Sequence, residues 1–107
     1  MTMRRGSTGG TFAPNALYYR DTDSVYVQLT NLKYDHSYHL DGRSGLRTVD
    51  IDKHDTVIGI TFRSVEQHLI DTHGIPEGER VRNILKAGGL ERFLASPSTE
   101  HRRVSMR

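Results

Sequence analysis

Three aspartates that lie close together in the sequence could bind a divalent cation. Asp50, Asp52 and Asp55 fall within six residues, and clustered carboxylates suit Mg²⁺ or Ca²⁺. A calcium loop that began at Asp50 would need glycine at its sixth position and glutamate at its twelfth, where this chain has Asp55 and Thr61. The spacing instead favours outward polar residues that lead a strand into a turn. We therefore predict no metal site and no cofactor.

Histidine side chains are the next candidates for metal binding or acid–base chemistry. The chain has six histidines. His36 and His39 are three positions apart, so on a strand they would face opposite sides of a sheet and could not bind one ion together. His68 and His73 are five positions apart, which does not place them on one face of a helix. Solvent-facing imidazoles are the simpler interpretation of all four.

The motifs of nucleophilic catalysis and of phosphate binding do not occur in the sequence. There is no cysteine and no Gly-x-Ser-x-Gly segment. The glycine-rich stretch at residues 6–10 lacks the lysine and the following helix of a phosphate-binding loop. We therefore predict no catalytic residue and expect that the protein is not an enzyme.

The first part of the chain that could position side chains is a β unit at residues 15–62. Residues 21–24 have the composition of a turn, because Asp and Ser side chains can hydrogen-bond nearby backbone N–H groups. The alternation that follows predicts a strand with the apolar residues of 25–29 on one face. Further strands are predicted at residues 16–20 and, with a more polar composition, near 34–40.

A hairpin is predicted at residues 46–62. Its first strand should direct Asp50 and Asp52 outward, because its apolar residues occupy the alternate positions. Its second strand has an apolar face and includes Gly59, whose missing side chain permits the close approach of another backbone.

After residue 62 the apolar residues change from the spacing of a strand to that of a helix. Ser64 and Gln67 have the spacing of a capping box, which predicts a short helix with Leu69 inward. A second short helix is predicted after Pro76. The predicted fold class is α+β: a small antiparallel sheet of four to five strands followed by two short C-terminal helices at residues 63–95.

The charge of the chain is unevenly distributed. Residues 1–14 predict a disordered arm and residues 96–107 a basic disordered tail, which flank a single α+β domain at residues 15–95. Residues 16–95 contain ten basic and twelve acidic residues, so the excess of positive charge lies in the flanking segments. No apolar run approaches the roughly 18 residues that cross a membrane, and we expect a cytoplasmic protein.

Parts of the β unit resemble a known family. Asp21–Leu29, followed by Val49–Asp52 and Val57–Ile60, resembles the small bacterial domains grouped as domain of unknown function 2283. Members of that family have a turn with paired aspartates, then an apolar-Tyr-apolar strand. They end in a hairpin whose return strand carries an apolar-Gly-Ile core. The resemblance covers roughly residues 17–62.

The chain departs from the pattern of that family at two positions. It has Asp55 where the family usually has glycine, and Thr61 where it often has glutamate. The resemblance implies a small β-rich bacterial protein with no agreed activity and no defined catalytic residue. The toxin-like neighbours of some members imply an antitoxin-like binding role.

We expect the chain to be a non-catalytic protein-binding module that forms a homo-oligomer, with a dimer favoured, or binds another protein. A bare sheet face or an edge strand could serve as the contact. An apolar stripe is the other candidate surface. It could contact a partner, or it could cover the protein's own sheet. The stripe consists of Val81, Ile84, Leu85, Leu90, Phe93 and Leu94.

Two alternatives belong to other functional classes. A nucleic-acid-binding protein would combine a tyrosine-bearing sheet with basic tails. The basic residues concerned are Arg4, Arg5, Arg102 and Arg103. A small hydrolase would instead use His36 or His39 together with Asp50 or Asp52, provided that these side chains converge in a pocket.

Overall fold

The computed structural model describes residues 12–95 as five β-strands, one α-helix and three short 3-10 helices. The strands are β1 (Asn15–Tyr19), β2 (Ser24–Gln28), β3 (His36–His39), β4 (Arg47–Ile51) and β5 (Val57–Arg63), and the helix is α1 (Gly78–Ala87). The 3-10 helices span Arg20–Thr22, Gly42–Ser44 and Glu91–Phe93. This arrangement confirms an antiparallel sheet combined with helix, the coarse form of the predicted class.

The five strands form one antiparallel sheet in the order β1-β2-β5-β4-β3. The predicted hairpin is confirmed, because β4 and β5 pair directly and are joined by a short turn. Their register shifts between Asp50 and Ile51, which marks an irregularity beside that turn. Among the described strands, β5 is central, and β1 and β3 lie at the two ends of this order.

One face of the sheet forms the protein core, as the alternation predicts. The buried strand residues of this core include Val25, Val27, Val49, Ile51, Ile60 and Phe62, joined by Leu29 just after β2. Helix α1 packs over β1 and β2 and contributes Val81 and Leu85, both fully buried. Apolar residues need this period of two to reach one side of a sheet, so the strand pattern and the core agree.

The expectation of two C-terminal helices is wrong: one α-helix occurs within residues 12–95. The residues that should have capped the first helix form a turn instead. Ser64 has a left-handed φ of 56°, and its carbonyl oxygen accepts hydrogen bonds from the N–H groups of Gln67 and His68 at 3.1 and 2.8 Å. Leu69, expected to point inward, is 55% exposed.

Long-range contacts hold this non-helical segment in place. Ile70 forms an isolated parallel bridge with Leu94. The N–H of Ile70 donates to the carbonyl of Phe93 at 2.7 Å, and that of Ala95 donates to the carbonyl of Ile70 at 2.9 Å. The backbone N–H and C=O groups that a helix would satisfy locally are therefore satisfied by residues more than twenty positions away.

The flanking segments fall largely outside this description. The tail at residues 96–107 and most of the arm at residues 1–14 lie outside the described residues, as do Arg4, Arg5, Arg102 and Arg103. Within residues 12–95, no helix has the length and apolar character needed to cross a membrane.

Candidate binding surface

The side of the sheet opposite α1 presents polar and aromatic side chains. We call this surface the open face. The registers of the four strand pairs place alternate residues on it, in rows that cross all five strands. One row consists of Leu17, Tyr26, Thr61, Thr48 and His39, and a second row contains Gln28, Gly59, Asp50 and Ser37.

A chain of hydrogen bonds centred on Asp50 crosses the open face. Ser37 Oγ donates to Asp50 Oδ1 at 2.6 Å. The Ser37 proton is thereby engaged, so Tyr34 is the donor in its 2.9 Å contact with Ser37 Oγ. Burial, followed by the charge of Asp50 and a hydrogen bond to it, raises the pKa of Tyr26 to about 12. At neutral pH Tyr26 is therefore a protonated phenol beside the Asp50 carboxylate.

A second set of hydrogen bonds on the open face meets at Thr48, which is itself buried. Arg63 Nη1 donates to Thr48 Oγ1 at 2.7 Å and to the carbonyl of Gly45 at 3.1 Å. His39 Nδ1 lies 2.9 Å from the same Thr48 oxygen. The buried hydroxyl is thus satisfied from two sides, as a buried polar group requires.

The structure separates the residues of the hydrolase alternative. His39 and Asp50 share the open face but belong to the two different hydrogen-bond sets. His36 alternates with Ser37 to the opposite side of β3, where its Nδ1 lies 2.8 Å from Asp35. Asp52 lies in the hairpin turn. Within the described residues, no hydrogen bond joins either histidine to Asp50 or Asp52.

Asp52 is not the outward side chain that strand alternation predicts. It is only 6% exposed, because the chain turns back on itself directly after β4. Its Oδ1 accepts hydrogen bonds from the N–H groups of His54 and Thr56, both at 2.9 Å. These bonds hold the pKa of the Asp52 carboxyl below its usual range, and the bond from Thr56 has the largest effect.

Asp52→Ala is expected to lower the Tm by several degrees, because two turn N–H groups lose their acceptor. Asp52→Asn is the matched control, since its amide oxygen can still accept these bonds. The folded pKa is the lower one, so the stability that the charge contributes is present above the unfolded pKa and is lost as pH falls through the folded pKa. Thermal unfolding between pH 7 and pH 3 measures both effects. An unchanged Tm for Asp52→Ala at pH 7 would contradict this role.

The predicted apolar stripe belongs to the core of the chain. Its buried members are Val81, Leu85, Leu90, Phe93 and Leu94, and Ile84 is partly buried against them. The structure thus matches the interpretation in which the stripe covers its own sheet. These side chains are not exposed for a partner, so a contact surface has to be sought elsewhere.

Exposed apolar side chains mark one end of the open face. Leu17 is 55% exposed and Tyr19 is 48% exposed, although both lie in a strand. Strand β1 has apolar residues on both of its faces, since Ala16 is buried while Leu17 faces outward. Apolar residues on both faces of β1 are the sequence pattern that could have indicated an exposed apolar surface, but our prediction did not single out Leu17 or Tyr19.

Comparison with family models, with curated proteins and with solved structures finds no match for this chain. The resemblance to domain of unknown function 2283 therefore stays a prediction. The function of the open face has to be inferred from its own residues.

The three aspartates that could have bound a cation are directed to different surroundings. Asp50 is engaged on the open face, Asp52 is buried in the turn, and Asp55 is exposed with a left-handed φ of 68°. Across residues 12–95, no three His, Asp or Glu side chains are arranged to hold a metal ion.

Proposed function

We propose that this chain is a non-catalytic protein-binding module that associates with a second copy of itself through the open face. The observation that carries the proposal is that one face presents exposed apolar side chains beside polar groups that already hydrogen-bond to one another. Leu17 and Tyr19 supply the apolar area. The sets around Asp50 and Thr48 supply the satisfied polar surface.

Burial of this face against a partner would be favourable for a physical reason. Each apolar side chain removed from water contributes about 25 cal/mol per Å², and tyrosine combines large contact area with a polar tip. Polar groups usually oppose such burial, because an unsatisfied donor or acceptor costs about 1–3 kcal/mol. Asp50 and Thr48 already have partners within the chain, so that penalty is reduced here.

Charge supports a protein partner over a nucleic acid. Residues 16–95 carry ten basic and twelve acidic residues, whereas nucleic-acid binding needs a positive surface that neutralises phosphates. The strand residues directed to the open face include one carboxylate, Asp50, and one guanidinium, Arg63. Two copies can therefore face one another without strong mutual repulsion.

The size of the sheet indicates a weak dimer. Five strands spaced about 4.8 Å apart, with about five residues each, make a face roughly 20 Å by 17 Å. The flat area of such a face, about 340 Å² per copy, lies below the roughly 800 Å² per partner of a standard specific interface. We therefore expect an equilibrium between monomer and dimer that depends on concentration.

Leu17→Glu and Tyr19→Glu are each expected to weaken dimerisation at least tenfold, because a buried unpaired charge is costly in an interface. Sedimentation velocity over a concentration series measures the dissociation constant, and circular dichroism checks that the fold persists. Tyr38→Glu is the matched control: Tyr38 is 42% exposed but lies on the opposite face of the sheet, in register with Val49.

Four outcomes would contradict the proposal. The wild-type chain could remain monomeric at the highest concentration, or Tyr38→Glu could dissociate the dimer as strongly as Tyr19→Glu does. A monomeric chain that binds single-stranded nucleic acid, with affinity falling steeply as salt rises, would favour the nucleic-acid alternative. Stable capture of a different protein by a monomeric chain would favour an antitoxin-like role instead.

A further inference from the structure

A separate cavity lies at the end of the sheet where β5 finishes and β4 begins. Its volume is about 490 Å³, within the range of small-molecule sites. The apolar part of its lining includes Leu46, Phe62, Leu69 and Ile70. Arg63 and His68 line it as well. Asp41, Arg47 and Asp71 complete the charged part of the lining, so the cavity combines an apolar surface with both basic and acidic side chains.

The walls of the cavity are fixed by Arg47. Its Nε and Nη2 donate to the two oxygens of Asp41 at 2.9 and 2.7 Å, a bidentate pair. Its Nη1 donates to the carbonyls of Asp71 and His73 at 2.9 and 2.7 Å. Arg47 therefore joins the two connections that form the cavity and neutralises Asp41. These bonds engage Arg47 within the protein and make it a structural part of the wall.

Arg63 is the arginine of the cavity lining whose N–H donors are only partly engaged within the described residues. Its Nη1 is engaged by Gly45 and Thr48. Its Nε and Nη2 have no acceptor among residues 12–95. A guanidinium that is anchored through one nitrogen is pre-oriented and can still bind a carboxylate with the others.

Leu69 provides the apolar half of the site. It is 55% exposed, and it lies on the non-helical segment that the bridge between Ile70 and Leu94 holds in place. Phe62 and Ile70 are buried in the core but contribute to the cavity surface. A ligand that covered Leu69 would remove apolar surface from water at the same time as its charge approached Arg63.

We propose that this cavity binds a small monocarboxylate with an apolar body. The carboxylate accepts hydrogen bonds from Arg63, and the body lies against Leu69 and Phe62. Arg63 belongs to both the open face and the cavity, whereas Leu69 lies outside the open face, so the Leu69 variants are the ones that separate this site from the proposed self-association.

The test titrates the full-length chain with octanoate while amide chemical shifts are recorded by NMR. We expect shifts at residues 44–47, 62–63 and 68–71, and at least tenfold weaker binding of 1-octanol, which has the same apolar body without the charge. Arg63→Gln should weaken octanoate at least tenfold as well. Arg20→Gln serves as the control, since Arg20 is exposed beyond the end of β1.

Two variants at one exposed position keep the test independent of folding. Leu69→Glu should weaken octanoate binding at least tenfold, because it places a negative charge beside the negative carboxylate of the ligand. Leu69→Lys should retain binding, because its positive charge attracts that carboxylate. Neither should alter dimerisation, which separates a failure here from a failure of the proposed function. Equal binding of octanoate and 1-octanol would overturn the proposal, as would equal affinities of the two Leu69 variants for octanoate, or an absence of shifts at millimolar octanoate.

Discussion

Gly59→Ala is expected to lower the free energy of unfolding by about 2–3 kcal/mol, the upper range for overpacking. Gly59 lies in β5 between Gln28 of β2 and Asp50 of β4. A Cβ at this position would collide with the phenolic oxygen of Tyr26. It would also lie 2.5 Å from the Tyr26 Cζ and 2.7 Å from the carbonyl oxygen of Val27. The Tyr26 ring can move away, but the Val27 carbonyl belongs to the neighbouring strand. The sheet must therefore distort.

Urea denaturation of matched variants tests this expectation. Gly74→Ala is the control, because a Cβ there meets nothing within 4 Å and the cost reduces to the left-handed φ of 80°, about 1 kcal/mol. Tyr26→Ala combined with Gly59→Ala isolates the contribution of the ring through a double-mutant cycle. A loss below 0.5 kcal/mol for Gly59→Ala, the range of ordinary surface substitutions, would show that the close approach is not a constraint.

Arg47→Ala is expected to destabilise the protein by about 2–3 kcal/mol, because it removes hydrogen bonds to a charged group and to two carbonyl oxygens. The Arg47 and Asp41 side chains are 19% and 26% exposed, so solvent screens their attraction only in part. Without Arg47, Asp41 lacks its cation and the connections at residues 41–46 and 71–73 are no longer joined. Chemical denaturation measures the loss. Hydrogen exchange in these two connections locates it.

Two comparisons define the contribution of the guanidinium. Arg47→Lys keeps the charge but cannot form the bidentate pair, so it should recover less than half of the loss. Arg43→Ala, an exposed arginine in the same connection, should change stability by less than about 0.5 kcal/mol. Equal effects of Arg43→Ala and Arg47→Ala would contradict the structural role.

The effect of Arg47 should also depend on pH. The hydrogen bond from Arg47 holds the pKa of Asp41 below its usual range. For a carboxyl with a lowered folded pKa, the stabilising contribution is present above the unfolded value of about 3.9. It is lost as pH falls through the folded pKa. The difference between wild type and Arg47→Ala should therefore shrink below about pH 4.

The strands could be predicted because their pattern is local. Residues 25–29 alternate strictly, and a turn of aspartate and serine precedes them. The hairpin at residues 46–62 has two alternating runs, and both became paired strands. The side chain of Asp52 could not be placed by the same reasoning, because alternation ends where the turn begins. At that point a carboxylate can accept the N–H groups of the turn, which brings it inward.

The segment after β5 shows why local spacing was insufficient. Ser64 and Gln67 fit a capping box, but the backbone next to Ser64 hydrogen-bonds to a distant part of the chain. The N–H of Val65 donates to the carbonyl of Asp23 at 3.2 Å. Ile70 pairs with Leu94. These contacts join residues that are distant in sequence, and tertiary contacts override helix propensity when they satisfy the same backbone groups.

The open face was predictable only in outline. The sequence indicated tyrosines in a sheet and a bare face that could bind a partner. The pairing of Ser37 with Asp50 and of His39 with Thr48 depends on the register between β3 and β4. That register could not be derived from residues 30–45, whose alternation is weak. The cavity beside Leu69 depends on the misassigned segment and therefore had no sequence pattern.

The parallel bridge between Ile70 and Leu94 has a consequence for synthesis of the protein. All five strands are available once residue 63 has left the ribosome, but Phe93 and Leu94, which complete the core, emerge some thirty residues later. A nascent chain of intermediate length therefore presents the apolar side of a finished sheet to its surroundings. Such a chain is exposed to aggregation and suited to chaperone binding, and it becomes a closed domain only when the segment near residue 94 is added.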